Sequence, residues 1–499
     1  MKLLKRHPFL MLSPVLVVLS WGVGIAYSGA KPVFLWTDIL VYLLILSISL
    51  FAISSLDKEH LRDPWRQVVR HKMGMASLVV LFFYICIGLL DAVHFQLPQH
   101  NDKPTNTHEK IYEAEVLSVL DILLTPIRVH YEKTYSAPFA THLFTKETVE
   151  KADGTQMREF PRLKYGGEHL KNPDTDKFGD IATKSFIGLL LGLLIWSVIT
   201  FIIGFAYSRH KQMGFLQSIK TILHNQYDVP WRVILLTLLV MCLLTGFAIV
   251  LAPYYHILGT DKVGEDVFFE SLKSIHTGLV IGTLSTLIML PFAILLGITA
   301  GYFKGWVDDV IQYIYTTLNS IPGVLLIAAS VLMIQVYMAN NPEMFANDAA
   351  RADARLFFLC VILGITSWTG LCRLLRGEAL KLSEVDYVQA AQAFGVSNFK
   401  ILWRHIQPNV MHIVLIMVVL DFSGLVLAEA VLSYVGVGVD PTMNSWGNMI
   451  NSARLEMARE PIVWWSLFAA FIFMFALVLA ANLFSDAVRD AFDPRLRKQ

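Results

Sequence analysis

Charge is scarce in this 499-residue chain, because only 16% of its residues are Asp, Glu, Lys or Arg. A soluble protein carries about a quarter of such residues. The chain is 55% apolar, its mean hydropathy is +0.54 and its net charge is only +1. This balance gives no basic surface for nucleic acid and indicates an integral membrane protein surrounded by a lipid bilayer.

Motifs for catalysis and for metal or nucleotide binding are also missing. The four cysteines, Cys86, Cys242, Cys360 and Cys372, form no C-x-x-C or Cys/His spacing and lie in or beside apolar runs, which indicates reduced packing residues. The chain has no G-x-x-x-x-G-K-[ST] phosphate loop, H-E-x-x-H pair or nucleophile elbow. We therefore expect no enzyme activity, no catalytic residue, no metal site and no cofactor held by this chain.

Apolar runs long enough to cross a bilayer as helices, about 20 residues each, recur along the sequence. They are 9–27, 34–56, 73–95, 185–207, 233–252, 276–300, 310–338, 356–375, 410–434 and 463–484. The first run follows "MKLLKR" and has an alternative as a signal peptide, but no A-x-A cleavage site follows, so we favour a retained anchor. The pattern predicts an all-α integral membrane protein with about ten transmembrane helices.

The distribution of Lys and Arg predicts the orientation of these spans. The six segments that share a side with the N-terminus hold 21 Lys and Arg residues, whereas the short loops on the other side hold 7. Positive residues favour the cytoplasm, so both termini are predicted to be cytoplasmic. The 89-residue loop 96–184 escapes this rule, and the span count alone makes it an extracytoplasmic insert. A disordered linker is the alternative for this loop.

A polar segment between two spans, Glu384–Val410, has the pattern of a helix–turn–helix. Alanines favour a helix up to Phe394, Gly395 permits the left-handed conformation that ends it, and Ser397 is a candidate N-cap for the next helix. Pro408 then precedes the next span. We interpret the segment as a surface that docks into a soluble partner; an ordinary cytoplasmic loop is the alternative.

The same segment resembles the coupling loop of ABC importer permeases, whose consensus is E-A-A, three residues, G, nine residues and I-x-L-P. Three positions differ, because Gln389, His405 and Gln407 replace Glu, Ile and Leu. The resemblance implies that this loop couples the spans to an ATPase. The residues it assigns to this role are Tyr387, Gln389, Ala390, Ala391, Gly395, His405 and Pro408.

Further motifs resemble the second, C-type permease of the dipeptide/oligopeptide/nickel importer family. "APYYHILGTDKVGEDV" is similar to the family loop HPLGTDxxGRDV, with Glu265 in place of Arg; its matching residues are Gly259, Thr260, Asp261, Gly264 and Asp266. "GYFKGWVDD", "LAEAVLSYVGVGVDPTMNSWGNMI" and "RDAFDPRLRK" also match. An extracytoplasmic insert ahead of the GTD loop is similar to the microcin C-type branch.

The resemblance implies a permease with six spans that forms half of a pathway for peptides or a related small solute. Its implied partners are a homologous second permease, two ATP-binding subunits that hold ATP and magnesium, and an extracytoplasmic solute-binding protein, in a bacterial inner membrane. We expect three N-terminal spans in 1–95, the insert in 96–184, an extra span and linker in 185–229, and the core in 230–499 with its coupling loop at 376–409. The alternative, with 73–95 as the first core span, stays open.

Charges inside a span are candidates for function. Asp421 and Glu429 lie in the span 410–434, and we expect them, with Tyr434 and Trp446, to be candidates for the pathway or its gate. Bonding of Asp421 to a neighbouring helix is the alternative, and Trp446 also fits an interfacial anchor. The rival function is a stand-alone secondary transporter or channel that uses Asp421 and Glu429.

Overall fold

A computed structural model describes residues 29–56, 59–98, 112–150, 156–211, 229–345 and 347–492. The predicted span 9–27 lies outside the described residues, as do most of the linker after 207 and the end of the C-terminal motif. The first apolar run therefore stays a prediction.

Helices dominate the described residues. The N-terminal half contains α1 (Trp36–Leu56), α2 (Glu59–Arg70), α3 (Lys72–Asp91), α4 (Val119–Leu123), α5 (Thr125–Arg128), α6 (Pro173–Lys211) and α7 (Trp231–Leu251). The C-terminal half contains α8 (Val267–Phe303), α9 (Gly305–Ser320), α10 (Gly323–Asn340), α11 (Asp348–Ser367), α12 (Thr369–Ser383), α13 (Asp386–Ala393), α14 (Asn398–Ile401), α15 (Gln407–Tyr434), α16 (Trp446–Glu456) and α17 (Trp465–Phe492).

Within the described ranges, eight helical segments are long and apolar enough to cross a membrane. They include α3, α6, α7, α8, α10 and α17, the joined pair α11–α12, and the segment Asn398–Tyr434 that ends with α15. A shorter apolar stretch, Trp36–Ser47, lies in α1. The predicted all-α integral membrane fold is confirmed.

One predicted span, 310–338, starts too early, and its spanning helix is Gly323–Asn340. The apolar run 310–338 is two helices, because α9 ends at Ser320 and α10 begins at Gly323. Ile321 between them has an extended backbone (ψ 131°), the conformation that a residue before proline prefers, and Pro322 follows it. Apolar composition alone did not reveal this break.

The short strands belong to the segments that join the helices. β1 (Lys31–Val33), β2 (His94–Gln96) and β3 (Leu117–Ser118) form an antiparallel sheet in that order, and β4 (Glu147–Glu150) pairs with β5 (Gln156–Glu159). In the three-stranded sheet, Val33 faces His94, and Phe95 faces Leu117. The sheet therefore joins the start of α1, the end of α3 and the insert.

The segments that connect the helices lie at two opposite ends of the bundle. We call the end that contains this sheet, the loop 252–266 and the loop 435–445 the outer end, and the end that contains 302–306 and 384–409 the coupling end. Helix α8 runs from the first to the second, since its N-terminus follows the loop 252–266 and its last turn contacts the coupling end. These names describe position along the helices only.

Helix α3 packs inside the C-terminal bundle. A Cβ atom added at Gly74 would lie 2.5 Å from the Ala487 methyl carbon on α17, and the Tyr84 hydroxyl donates to the Phe473 carbonyl at 2.9 Å. Helix α7 instead packs most closely against α6, with the backbones of Gly246 and Gly192 in contact. The core boundary at 230 stays a prediction, and this packing favours the alternative in which 73–95 is the first core span.

Candidate coupling site and outer loop

The coupling segment is built as a helix, a turn and a second helix. α13 ends at Ala393, and Gly395 then adopts the left-handed conformation that the sequence predicts (φ 73°). Ser397 occupies the N-cap position of α14, although its side chain makes no capping hydrogen bond. A π-helical turn, Leu402–Ile406, leads into α15, where Pro408 lies in the first turn and needs no N–H partner.

The inner face of this segment is anchored to the bundle. Val388, Ile401 and Ile406 are fully buried in a cluster with residues of α8, α9, α12 and α15. The Tyr302 hydroxyl at the end of α8 donates to Asn398 Oδ1 at 2.9 Å and accepts from Gln392 Nε2 at 3.2 Å. This packing fixes the helix–turn–helix to the ends of α8, α9, α12 and α15.

The exposed surface of the segment carries several aromatic side chains among polar ones. Its aromatic side chains are Tyr387, Phe394, Phe399 and Trp403, which are 43%, 88%, 75% and 56% exposed. The rings of Phe399 and Trp403 stack at 6.3 Å between centroids. We call these four residues the aromatic face.

The remaining predicted coupling residues lie beside the aromatic face. Gln389 and Ala390 are exposed, whereas Ala391 is half-buried and packs against the subunit's own core. Gln389 Nε2 donates to the Glu384 carbonyl at 3.2 Å. His405 lies 6.1 Å from the Tyr387 ring, and Asn409 Nδ2 donates to the Tyr387 hydroxyl at 3.0 Å. The structure therefore places His405 beside Tyr387, whereas the other predicted coupling residues are joined to them along the chain.

At the outer end, the GTD loop has a defined turn. Asp261 Oδ1 accepts from the backbone N–H groups of Val263 and Glu265 at 2.9 and 2.8 Å. Asp266 is the N-cap of α8, since its Oδ1 accepts from the N–H groups of Phe268 and Phe269. The two aspartates thus fix the loop and the start of the following span.

The insert lies directly over the GTD loop. The Thr260 hydroxyl donates to the Thr134 carbonyl at 2.9 Å and accepts from the Ser136 N–H at 2.7 Å. Gly259 and Gly264 have positive φ angles of 74° and 84°, and Cβ atoms there would lie 2.4 Å from the Ser136 carbonyl oxygen and 1.8 Å from that of Glu132. These glycines are required by the approach of the insert as well as by the turn.

A buried ion cluster, which we call the Glu132–His256–Asp266 lock, holds the insert to this loop. His256 Nδ1 lies 2.6 Å from Asp266 Oδ2, and its Nε2 lies 3.5 Å from Glu132 Oε1. Glu132 also accepts from the backbone N–H groups of 164–166 at 2.8–3.1 Å. All three side chains are buried.

The lock changes the pKa values of its members. Burial alone would lower the pKa of His256, but the Asp266 and Glu132 carboxylates raise it to about 9. Burial likewise favours a higher pKa for Glu132, but His256 and the backbone N–H groups lower it to about 2. At neutral pH the lock is therefore a cation held by carboxylates. Sequence reasoning missed Glu132, because the insert carries no motif. It also missed His256, although this residue stands at the first position of the family loop HPLGTDxxGRDV.

The four pathway candidates are not equivalent. Glu429 is buried and accepts from the Ser433 hydroxyl at 2.6 Å, whereas Asp421 is half-buried on the same helix. Tyr434 is 43% exposed beneath the Arg454 guanidinium, which lies 5.2 Å from the ring centroid. Their role in a pathway stays a prediction.

The interpretation of Trp446 as an interfacial anchor is wrong. Its side chain is only 2% exposed, and its Nε1 donates to the Ser271 carbonyl of α8 at 3.2 Å. A Cβ at Gly278 would lie 2.8 Å from the indole ring, so α8 leaves room for it. Trp446 therefore fixes the outer loop to α8 inside the protein.

Comparisons with known proteins agree with this architecture. Residues 293–498, from the last third of α8 to the penultimate residue, match the family described as "Binding-protein-dependent transport system inner membrane component". The chain is similar to the glutathione transport system permease protein GsiD of Pectobacterium atrosepticum, with 33% identity over 242 residues, which are 48% of this chain and 73% of that protein.

Two proteins of Bacillus subtilis show a similar match. The dipeptide transport system permease protein DppC is 29% identical over 243 residues, 49% of this chain and 70% of that protein. The oligopeptide transport system permease protein OppC is also 29% identical over 243 residues, 49% of this chain and 73% of that protein. About half of this chain therefore lies outside the region shared with these relatives.

Proposed function

Because this chain belongs to the family of inner-membrane components of binding-protein-dependent transport systems, we propose that it forms half of an ATP-driven import pathway for peptides or a related small solute. A second, homologous permease supplies the other half. Two ATP-binding subunits, which hold ATP and magnesium, drive the pair from the cytoplasm, and a solute-binding protein delivers the solute outside. The chain itself is a multi-pass membrane protein.

The observation that supports this proposal is that the aromatic face is exposed while the inner side of the same helices is buried against the bundle. Exposed apolar side chains at this density mark a contact surface for another protein or for lipid. The inner face of the same helices is buried in the bundle, so a force on the aromatic face reaches α8 and α15 directly. A surface that is both exposed and anchored in this way suits the transmission of movement from an ATPase.

The proposal that the solute is a peptide rests on the names of the similar proteins. Their names give glutathione, dipeptides and oligopeptides as the transported solutes. Gln389, which replaces the Glu of the family consensus, removes one charge from the coupling surface but keeps the helix, because its side chain bonds to the Glu384 carbonyl. Contact with the ATPase then depends more on the aromatic side chains than on charge.

Substitution of the aromatic face tests this function. Phe394→Asp, at a residue 88% exposed, is expected to reduce co-purification with the co-expressed ATP-binding subunits and ATP-dependent peptide uptake into proteoliposomes by about tenfold or more. Phe178→Asp is the matched control, because Phe178 is also 88% exposed but lies on the first turns of α6 at the outer end. Equal uptake by the two variants contradicts the docking role.

The proposed orientation has its own test. Reporter fusions at Gly154, in the insert, and at Lys304, at the coupling end, are expected to give opposite signals for the two sides of the membrane. Equal signals contradict the placement of the insert outside and of the coupling end in the cytoplasm.

A further inference from the structure

One helical segment of the insert is apolar on two opposite sides. Helices α4 and α5 follow each other with only Leu124 between them, and Leu120 and Ile127 are buried on one side of the segment. Positions 122, 126 and 129, spaced four and three residues apart, share the other side, and all three are exposed. We call this side the outer apolar face; its residues are Ile122, Leu123, Pro126 and Val129.

Large side chains make up most of the outer apolar face. Ile122, Leu123 and Val129 are 50%, 60% and 50% exposed. Thr125 lies beside them, but its hydroxyl donates to the Ile122 carbonyl at 2.7 Å, so its hydrogen bond is made within the segment. Grouped exposed apolar side chains mark contact with another protein or with a membrane.

Two contacts fix the depth of this segment relative to the spans. At α4, Asp121 lies 3.0 Å from Lys273 Nζ, and Lys273 precedes the apolar run 276–300 of α8 by three residues, about 5 Å along the helix. At α5, Ile127 belongs to the buried cluster that contains Leu251, the last residue of α7. The polar layer on each side of the hydrocarbon core is about 5–8 Å thick. The segment therefore lies at the depth of the lipid headgroups.

The apolar surface of the neighbouring spans reaches the same level. Leu90 in the last turn of α3 and Ile249 in the last turn of α7 are both exposed. The insert joins α3 at this point, because the hydroxyl of Ser118, the N-cap of α4, donates to Asp91 Oδ1 at 2.6 Å. Apolar side chains exposed at the ends of membrane spans meet lipid. A soluble partner would have to enter the headgroup layer to reach the outer apolar face.

We propose that the outer apolar face enters the headgroup layer of the bilayer and anchors the insert to lipid. Interfacial helices bind membranes by burying their apolar face at the boundary between headgroups and acyl chains. The Glu132–His256–Asp266 lock holds the same insert to the GTD loop. The insert is thus attached at two places, to the membrane surface by α4 and α5 and to the start of α8 by the lock.

Spin labelling of the purified full chain in phospholipid vesicles tests this inference. A nitroxide is attached to a ketone-bearing amino acid at position 123, which leaves the four native cysteines in place, and its collisions with oxygen and with a water-soluble nickel chelate are measured. Oxygen concentrates in the apolar layer, and the chelate stays in water. Met157, 47% exposed among the charged residues of β5, is the matched control, and Phe82, 63% exposed in the middle of α3, is the lipid reference.

We expect the ratio of oxygen to nickel collisions at position 123 to be at least about threefold higher than at position 157 and to approach that at position 82. Equal ratios at positions 123 and 157 overturn the proposal. A nickel collision rate at position 123 that falls only after the second permease or a solute-binding protein is added also overturns it, because a protein would then cover the face. None of these results depends on transport or ATP.

A charged substitution gives a second measurement. Leu123→Asp places a carboxylate in the headgroup layer and is expected to speed proteolysis of the insert in vesicles at least about threefold. Met157→Asp, at the matched control position, should leave the rate unchanged. Equal rates in the two variants contradict the lipid anchor. If Leu123→Asp does not fold, the nitroxide at position 123 still decides, because it introduces no charge.

Discussion

The two ends of this molecule differ in how far their characteristic side chains are exposed to solvent. At the coupling end, four aromatic side chains lie exposed on a short helix–turn–helix, and the Lys304–Glu384 ion pair is open to solvent. At the outer end, the GTD loop lies beneath the insert, and its ion cluster is buried. The coupling end leaves its aromatic face exposed, whereas the outer end covers its loop with a segment of the same chain.

This difference predicts that substitutions at the two ends have different consequences. An exposed ion pair contributes about 0–1 kcal/mol, whereas breaking a buried pair by removing one partner costs about 3–5 kcal/mol. Substitutions at the coupling end are therefore expected to change partner contact with little effect on folding. Substitutions in the lock are expected to change folding first.

The largest expected effect comes from removing α3 and the insert together. A chain starting near His224 lacks α3, whose Gly74 and Gly88 allow close contact with α17 and α8. We expect this chain to be degraded or to fail to bind the ATP-binding subunits. A chain starting near Asp57 retains α2, α3 and the insert, and is expected to assemble. Membrane insertion and co-purification measure both.

Equal assembly of the two shortened chains would reverse this conclusion. It would make α3 an accessory helix and 233–252 the first core span, as the sequence analysis favours. The permease assignment would survive, because it rests on residues C-terminal to both cuts.

The next largest effect is expected from a substitution in the turn of the coupling end. Gly395→Pro is expected to lower ATP-dependent uptake at least about tenfold, because proline cannot adopt the φ of 73° found there. The spans should still insert, since a Cβ at this position meets nothing within 4 Å. Gly395→Asn is the matched control, because asparagine tolerates the left-handed conformation. Similar uptake by the two variants would show that the turn geometry is not needed.

The same contrast shows what the sequence could predict. At the coupling end, spacing was sufficient: the alanines, Gly395 and Pro408 define a helix, a turn and a helix start through local backbone preferences. At the outer end, Asp261 and Asp266 accept hydrogen bonds from backbone N–H groups two to four residues further along the chain. Interactions between residues close in the chain can therefore be predicted from a single sequence.

Long-range contacts leave no such pattern. Glu132 and His256 are 124 positions apart, and neither residue type nor spacing links them. The break at Ile321–Pro322 was missed because the flanking residues are apolar on both sides, and Trp446 appeared interfacial because composition does not report what covers a side chain. The first core span stayed ambiguous because α3 and α7 are both apolar enough to cross a membrane, and their packing against other helices distinguishes them.

A smaller effect comes from opening the lock. Glu132→Gln leaves His256 charged with one carboxylate fewer, and is expected to destabilise the insert by about 3 kcal/mol. Thermal unfolding in detergent and proteolysis of the insert measure it. Glu147→Gln is the matched control, because it removes an ion pair with Lys133, whose side chain is 71% exposed, and should cost less than about 1 kcal/mol. Equal melting temperatures of the two variants would show that the lock does not stabilise the insert.

The smallest expected effect is a pH dependence of the stability that arises at the outer end. Because the folded pKa of His256 is raised from 6.5 to about 9, the charged imidazole stabilises the fold fully below about pH 6.5, and this stabilisation is lost as the pH rises through 9. The lowered pKa of Glu132 acts oppositely, since its contribution is present above about pH 4.5 and is lost only as the pH falls towards 2. We therefore expect the apparent melting temperature to fall between pH 7 and 10 (a range that leaves Glu132 ionised). His256→Gln should flatten this fall, whereas His405→Gln, at the coupling end, should leave it unchanged. A fall of the same size in His256→Gln would place the titrating group outside the lock.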